Sequence, residues 1–198
     1  MMKKIILATT NQNKINELKE ALYKAQINTV SQKNFKINNV FESAPTFIEN
    51  ALIKARNASK LGFPALADDS GLIIKALNGK PGVYSSRFCG ELSTDRNNIE
   101  KVLQKMSKYN TSERHAKLYC VLAYVRFFND PTPIIIESSL DGLISTFISK
   151  STYGFGYDSI FFLPKQKKML SELTLKEKIK ISHRGKAIKK MINKLIKN

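Results

Sequence analysis

Pro64-Ala65-Leu66-Ala67-Asp68-Asp69-Ser70-Gly71-Leu72-Ile73-Ile74 sets two adjacent carboxylates between two apolar, strand-like runs. Continuous apolar runs of this kind belong to buried strands of an α/β sheet, whose ligands bind at strand ends. The pattern predicts a strand end followed by a turn at Asp68-Asp69-Ser70-Gly71, because Asp and Gly both carry turn chemistry. Two hard oxygen donors at such a place suit a divalent metal. The same pair also suits the capping of an ordinary turn.

Upstream, Ile5-Ile6-Leu7-Ala8 lies within an opening strand expected over Lys3 to Thr10, and the polar loop Thr9-Thr10-Asn11-Gln12-Asn13-Lys14 follows it. Ile15, Leu18, Leu22 and Ala25 then recur at helical spacing. Strand, polar loop and helix make an anion-binding arrangement: the helix start offers unpaired N–H groups and Lys14 a full charge. It is not a Walker loop, since the glycines are missing, and an ordinary connection with Thr and Asn caps fits equally. A second strand is expected near Asn28 to Gln32, with a polar loop reaching Glu42-Ser43-Ala44-Pro45. Thr46-Phe47-Ile48-Glu49 has capping-box spacing and Gly62 is a stop, so a helix is expected from Phe47 to about Leu61. Ile48, Ala51, Leu52, Ala55 and Ala58 form its inner face, whereas Asn50, Lys54 and Asn57 share another, from which Lys54 could reach a phosphate or simply meet water.

Downstream, a loop over Gly79 to Tyr84 precedes a helix expected over Asp95 to Met106, capped by Ser93 or Thr94. Lys117 to Phe128 and Ile134 to Leu140 read as an antiparallel hairpin, which makes the sheet mixed. Gly154-Phe155-Gly156-Tyr157-Asp158 then precedes a strand over Ser159 to Leu163. Glycines flanking an aromatic let backbone approach a flat ligand, though a glycine turn with a core Phe has the same pattern. Thr174 to Glu177 repeats the capping box and opens a short helix leading to Ser182-His183-Arg184-Gly185; the last helix turns Ile188, Met191, Ile192 and Leu195 inward. No repeat or linker divides the chain, so residues 1–198 read as one domain with two lobes.

Lys and Arg number 33 against 16 Asp and Glu, a formal net charge of +17. That excess attracts polyanions in general, but it runs from end to end without a base-stacking array, so no specific nucleic-acid partner is expected. Cys89 and Cys120 lack CxxC spacing and are expected as free thiols. No apolar run reaches the roughly 18 residues of a membrane span, and the start does not read as a signal peptide. A soluble cytoplasmic protein with no membrane partner is the expectation.

Taken in order, T-x-N-x-x-K from Thr9, F-I-E-N-A-x-x-K-A from Phe47, A-D-D-S-G-L from Ala67, P-G-x-Y-S-x-R from Pro81, G-F-G-Y-D from Gly154 and S-H-R-G from Ser182 resemble the inosine triphosphatase family. These are pyrophosphatases that remove non-standard purine nucleotides. The resemblance spans the whole chain and implies an α/β fold: an elongated mixed β-sheet flanked by helices, with two lobes and an intervening nucleotide cleft. It further implies a homodimer that uses Mg²⁺ and converts ITP, dITP and XTP to the monophosphate and pyrophosphate.

The resemblance also implies roles. Thr9, Thr10, Asn11, Gln12, Asn13 and Lys14 would cradle the triphosphate, and Lys54 would contact phosphate. Glu42 and Asp69 would hold Mg²⁺ with Asp68 in close support, Asp69 being also the catalytic proton acceptor. Ser70 would touch substrate; Phe155, Gly156, Tyr157 and Asp158 would contain the base; Lys178, His183 and Arg184 would complete the pocket. This requires Glu42 to lie beside Asp68 and Asp69. Ser159 stands where the family commonly has Pro, Ala44 where Gly is common, and the region of Leu140-Asp141-Gly142 lacks the Trp of some relatives. A related pyrophosphatase acting on another modified nucleotide, or a basic binding module without turnover, are the competing readings.

Overall fold

Residues 4–35, 37, 40–151 and 153–197 are described by a computed structural model. Lys3, expected in the first strand, lies outside them, as do three positions of the loop before Glu42. The largest departure from expectation concerns the acidic pair. β3 (Ala65–Ile74) runs unbroken through Asp68-Asp69-Ser70-Gly71, which therefore form a strand interior and not a turn. Turn chemistry is overridden because each buried carboxylate meets a cation from a distant part of the chain: Lys14 reaches Asp68 at 2.6 Å and Lys54 reaches Asp69 at 2.6 Å. Cations at that range offset the cost of desolvating the two charges.

The sheet has seven strands in the order β2 (Thr29–Ser31), β1 (Ile5–Leu7), β3, β4 (His115–Val125), β5 (Ile134–Ile144), β6 (Phe161–Leu163) and β7 (Lys168–Met169). β1 pairs in parallel with β2 and β3, whereas β5–β6 and β6–β7 are antiparallel, so the sheet is mixed as expected. The Ile144 N–H donates to the Arg114 carbonyl at 2.9 Å, which sets the end of β5 beside the start of β4, as a hairpin requires. Those strands are His115–Val125 and Ile134–Ile144, shifted from the expected limits because Phe127 and Phe128 fall in the connecting loop. Residues Gly156–Ile160 form a 3₁₀ segment, so the strand expected from Ser159 begins at Phe161.

Helices follow the caps. α1 (Gln12–Lys24) starts behind Asn11, whose side chain accepts from the Lys14 N–H at 3.2 Å; Gln12, Asn13 and Lys14 are thus helical and not loop. α2 (Phe47–Ser59) starts behind Thr46, which accepts from the Glu49 N–H at 3.2 Å and donates its hydroxyl to Glu49 at 2.6 Å. α3 (Asp95–Met106) starts behind Thr94. α4 (Leu175–Ile181) carries a full capping box between Thr174 and Glu177, and α5 (His183–Lys197) takes His183-Arg184-Gly185 into its first turn.

Two compact units divide the chain: Met1–Asp69 with Cys120–Ser138 and Arg184–Asn198, and Ser70–Tyr119 with Ser139–His183. In the first, Ile5, Leu7, Leu66, Cys120 and Leu122 alternate along their strands and bury one face under Ile15, Leu18 and Leu22 of α1 and Ala187, Ile188 and Met191 of α5. Helix α2 packs against β1 with a face of alanines, Ala51, Ala55 and Ala58, all buried. In the second, Ile99, Val102 and Met106 of α3 join Leu72, Leu118, Ile144, Phe161 and Leu170. Arg114 ties that unit together, donating to the carbonyls of Met106 at 2.7 Å, Ile144 at 2.6 Å and Ser145 at 2.8 Å.

Gly142 has no room for a side chain: a Cβ there would lie 2.5 Å from Phe161 Cε1 and 2.6 Å from the Phe162 carbonyl oxygen. Gly142→Ala is expected to lower unfolding free energy by about 1–3 kcal/mol in urea titrations, as overpacking does. Asp130, in the β4–β5 loop, accepts from the Arg126 N–H and guanidinium and from the Thr132 N–H, and the Arg126 contact holds its carboxyl well below the usual range. A depressed folded pKa stabilises above the unfolded value and loses that stabilisation as pH falls. Asp130→Asn should therefore unfold more easily than the parent at neutral pH, and the gap should narrow as pH is lowered from about 5 toward 2.

Candidate functional site

Asp69, Glu42 and Lys54 meet at one point in the first unit. The Lys54 ammonium stands 2.6 Å from Asp69 Oδ1 and 3.0 Å from Glu42 Oε1, and it donates to the Asp68 carbonyl at 2.9 Å. Two carboxylates that share one ammonium are close neighbours, as the sequence reading required of Glu42. Glu42 arrives through a loop hooked to α2: buried Asn50 accepts from the Ala44 N–H and donates to the Ala44 carbonyl, both at 3.0 Å. Burial works to lower the Lys54 pKa, but Asp69 and Glu42 outweigh it and hold the ammonium above its ordinary value. Burial raises the Asp69 carboxyl, and Lys54 and Lys14 only partly offset this.

Asp68 leaves β3 on the opposite face, since successive strand side chains alternate. It is fully buried. Its Oδ1 meets Lys14 at 2.6 Å, and its Oδ2 accepts from Arg184 Nε at 2.8 Å and from the Cys120 thiol at 3.3 Å. Arg184 in turn donates to Glu17 of α1 at 2.9 Å. Burial alone would raise the Asp68 pKa, but Arg184 and Lys14 take it well below the usual carboxylate range. Burial, then the Asp68 charge, push the Cys120 thiol well above its ordinary value, so it stays a donor. Among the described residues no three His, Cys, Asp or Glu side chains group as metal ligands. The set that does converge on a cation, Glu42, Asp69 and the Asp68 carbonyl, is all hard oxygen, which fits Mg²⁺ in donor type.

In the second unit the Lys178 ammonium, buried, lies 2.7 Å from Asp158 Oδ2 and 4.3 Å from the centre of the Phe155 ring. The Phe155 N–H donates to the same Asp158 oxygen at 3.0 Å, and the Gly156 N–H donates to Asp95 at 2.8 Å. Gly154 wraps so closely that a Cβ would lie 2.8 Å from Asp158 Oδ2. The Tyr157 hydroxyl donates to the Ser85 carbonyl at 2.7 Å, and Ser85 Oγ accepts from the Leu72 N–H at 2.8 Å. Pro81-Gly82-Val83-Tyr84-Ser85-Ser86-Arg87 thus supports both the aromatic loop and the strand that carries the acids.

The Ham1 family model matches residues 5–194. The chain belongs to the Ham1 family. It is 64% identical over 197 residues to a dITP/XTP pyrophosphatase of Wigglesworthia glossinidia brevipalpis, covering 100% of this chain and 98% of that protein. A Shigella flexneri protein of the same name is 45% identical over 195 residues, covering 98% of each. The HAM1 protein of Coxiella burnetii superposes with a TM-score of 0.92 at 41% identity, over 100% of both chains.

Within this Ham1 chain many of the sequence-derived residues fall into the two groups just described, and others lie outside both. Lys14, Glu42, Lys54, Asp68, Asp69 and Arg184 share the first network. Thr9 is buried and accepts from the Asn11 N–H at 3.2 Å; Thr10 and Asn13 are exposed at the start of α1. Gln12 donates to Asn16 at 2.9 Å and accepts from Lys33 at 3.3 Å. Phe155, Gly156, Tyr157, Asp158 and Lys178 share the second. Ser70 is half-buried on β3, and His183 is buried at the first position of α5. Both cysteines are free, Cys120 buried and Cys89 half-buried. Sequence reasoning missed Glu17, Asn50, Asp95 and Cys120 as partners. Glu17 carries one usable signal, since it takes a core position one turn after Lys14, between Ile15 and Leu18.

Removing Asp68 would take from half-buried Lys14 its carboxylate at 2.6 Å and leave buried Arg184 with Glu17. Asp68→Ala is expected to cost about 3–5 kcal/mol of stability, read by urea unfolding, with Glu17→Gln costing less because Arg184 keeps Asp68.

Proposed function

We propose that this chain hydrolyses ITP, dITP and XTP to the monophosphate and pyrophosphate, clearing these nucleotides from the pool in the cytoplasm. The observation that carries the reading is the convergence of Glu42 and Asp69 on the Lys54 ammonium, with Lys14 paired to the neighbouring Asp68. Full-length likeness to proteins named dITP/XTP pyrophosphatase supports the substrate class.

In this reading Glu42 and Asp69 would hold Mg²⁺, which when bound would neutralise phosphate oxygens and favour the charge that develops on them. Lys14, Lys54 and the segment Thr9 to Asn13 take the phosphates. Asp69, its carboxyl raised by burial, accepts the proton of the water attacking the α-phosphorus, and pyrophosphate leaves. No covalent intermediate is required, so the thiols take no part. Asp68, held ionised by Arg184 and Lys14, keeps β3 and the lysine in place. Ser70 touches substrate.

Phe155 offers a stacking face for the base, with Gly156, Tyr157, Asp158 and Lys178 around it. Donors from His183, Arg184 or nearby backbone N–H groups favour the keto oxygen of hypoxanthine and xanthine; adenine would set an amino donor against them. Guanine shares the oxygen and is rejected through its two-amino group. A homodimer follows from the family resemblance.

Purified protein is expected to release pyrophosphate from ITP, dITP and XTP in the presence of Mg²⁺ and far less from GTP or ATP; chelation should abolish release. Equal rates on all five would remove the selectivity. Asp69→Asn should lose at least about 10²-fold in kcat, the scale of a general base, while keeping the parent's circular dichroism.

A further inference from the structure

Phe155 caps the 3₁₀ segment Gly156–Ile160 and is flanked by Gly154 and Gly156, whose φ of +94° and +56° are conformations that favour glycine. Two carboxylates from different elements grip the peptides on either side of the ring. Asp158, inside the loop, accepts from the Phe155 N–H at 3.0 Å; Asp95, at the first position of α3, accepts from the Gly156 N–H at 2.8 Å. Helix α3 does not need Asp95 as its cap, because Thr94 Oγ1 already accepts from the Asn97 N–H at 3.1 Å. With both flanking N–H groups held, the Cα–Cβ direction of Phe155 is fixed, and the ring lies 4.3 Å from the Lys178 ammonium.

We propose that Asp95 is a positioning residue for the Phe155 ring, clamping the Gly156 peptide so that the ring is presented in one orientation for base stacking. This rests on the reading above, in which the purine lies on Phe155. Asp95 belongs to the second unit and the acid–lysine cluster to the first, so its loss is expected to change base affinity and not the attack of water. A neutral amide offers the same accepting oxygen, so the clamp survives Asp95→Asn. An acid that merely favoured the positive end of α3 would behave in the opposite way: its effect needs the charge, is lost equally in Asn and Ala, and falls on stability.

The chain has no tryptophan, so Phe155→Trp provides a single fluorescent reporter at the ring. In that background Asp95→Ala is expected to raise acrylamide quenching and lower anisotropy, and Asp95→Asn to stay near the parent. With Phe155 intact, Asp95→Ala should raise the KM for ITP about fivefold, the scale of one exposed hydrogen bond, with kcat within about twofold, and Asp95→Asn should restore KM. Unchanged quenching in Asp95→Ala, or equal changes in Ala and Asn, would overturn the proposal. Should the parent release no pyrophosphate from any purine triphosphate, the functional reading fails, and the quenching comparison still decides whether Asp95 holds the ring.

Discussion

Two buried carboxylates in the middle of a central strand are tolerable only because cations meet them from both faces. An unpaired charge taken from water into a protein interior costs several kcal/mol even after relaxation. Asp68 is answered by Lys14 and Arg184, and Asp69 by Lys54. Those cations come from α1, α5 and α2, so three helices must seat correctly before β3 can be buried. The apolar stripes of α1 and α5 and the alanine face of α2 provide that seating. Packing and charge compensation therefore stand or fall together in the first unit.

Strand alternation then separates two residues that are neighbours in sequence. Asp68 faces an arginine, a lysine and a thiol donor, and is held ionised well below the ordinary range. Asp69 faces one lysine shared with a second carboxylate, and burial raises its carboxyl. One fixed charge and one more basic carboxylate are thus set side by side by backbone geometry. In the proposed reading these divergent environments separate an electrostatic anchor, Asp68, from a proton acceptor, Asp69.

What sequence revealed followed the range of the interactions. The Thr94 cap of Asp95–Met106 and the Thr174–Glu177 box are local, made between residues a few positions apart, and were legible. The strand interior at Asp68 was not, because Asp-Asp-Ser-Gly carries local turn chemistry and the cations that overrule it lie elsewhere: Arg184 is 116 residues from Asp68. The grouping of Glu42 with Lys54 and Asp69 was legible only through the family resemblance. Asn50 read as a polar position on α2, yet it fixes the loop that delivers Glu42, by a bond to backbone that leaves no trace in residue pattern. Asp95 entered only as the first residue of an expected helix, and its bond to the Gly156 N–H left no trace for the same reason. Partners whose signal is a backbone N–H are silent in sequence.

The chain is basic overall while carboxylates gather at β3, and this bears on what each attracts. The whole protein carries +17. Among the described ion pairs at the β3 acids, by contrast, Lys14, Lys54 and Arg184 face the four carboxylates of Glu17, Glu42, Asp68 and Asp69. A small cation is therefore favoured locally, while the surrounding lysine field raises the encounter rate of any polyanion. Arg184 serves Asp68 and Glu17 in the interior, whereas Glu42, on the Lys54 side, remains partly exposed. A divalent ion there would bring the local charge into line with the field around it, and a polyphosphate would then meet positive charge at both ranges. Surplus lysine alone would bind such an anion indiscriminately; in the proposed reading the acids would make binding depend on the ion.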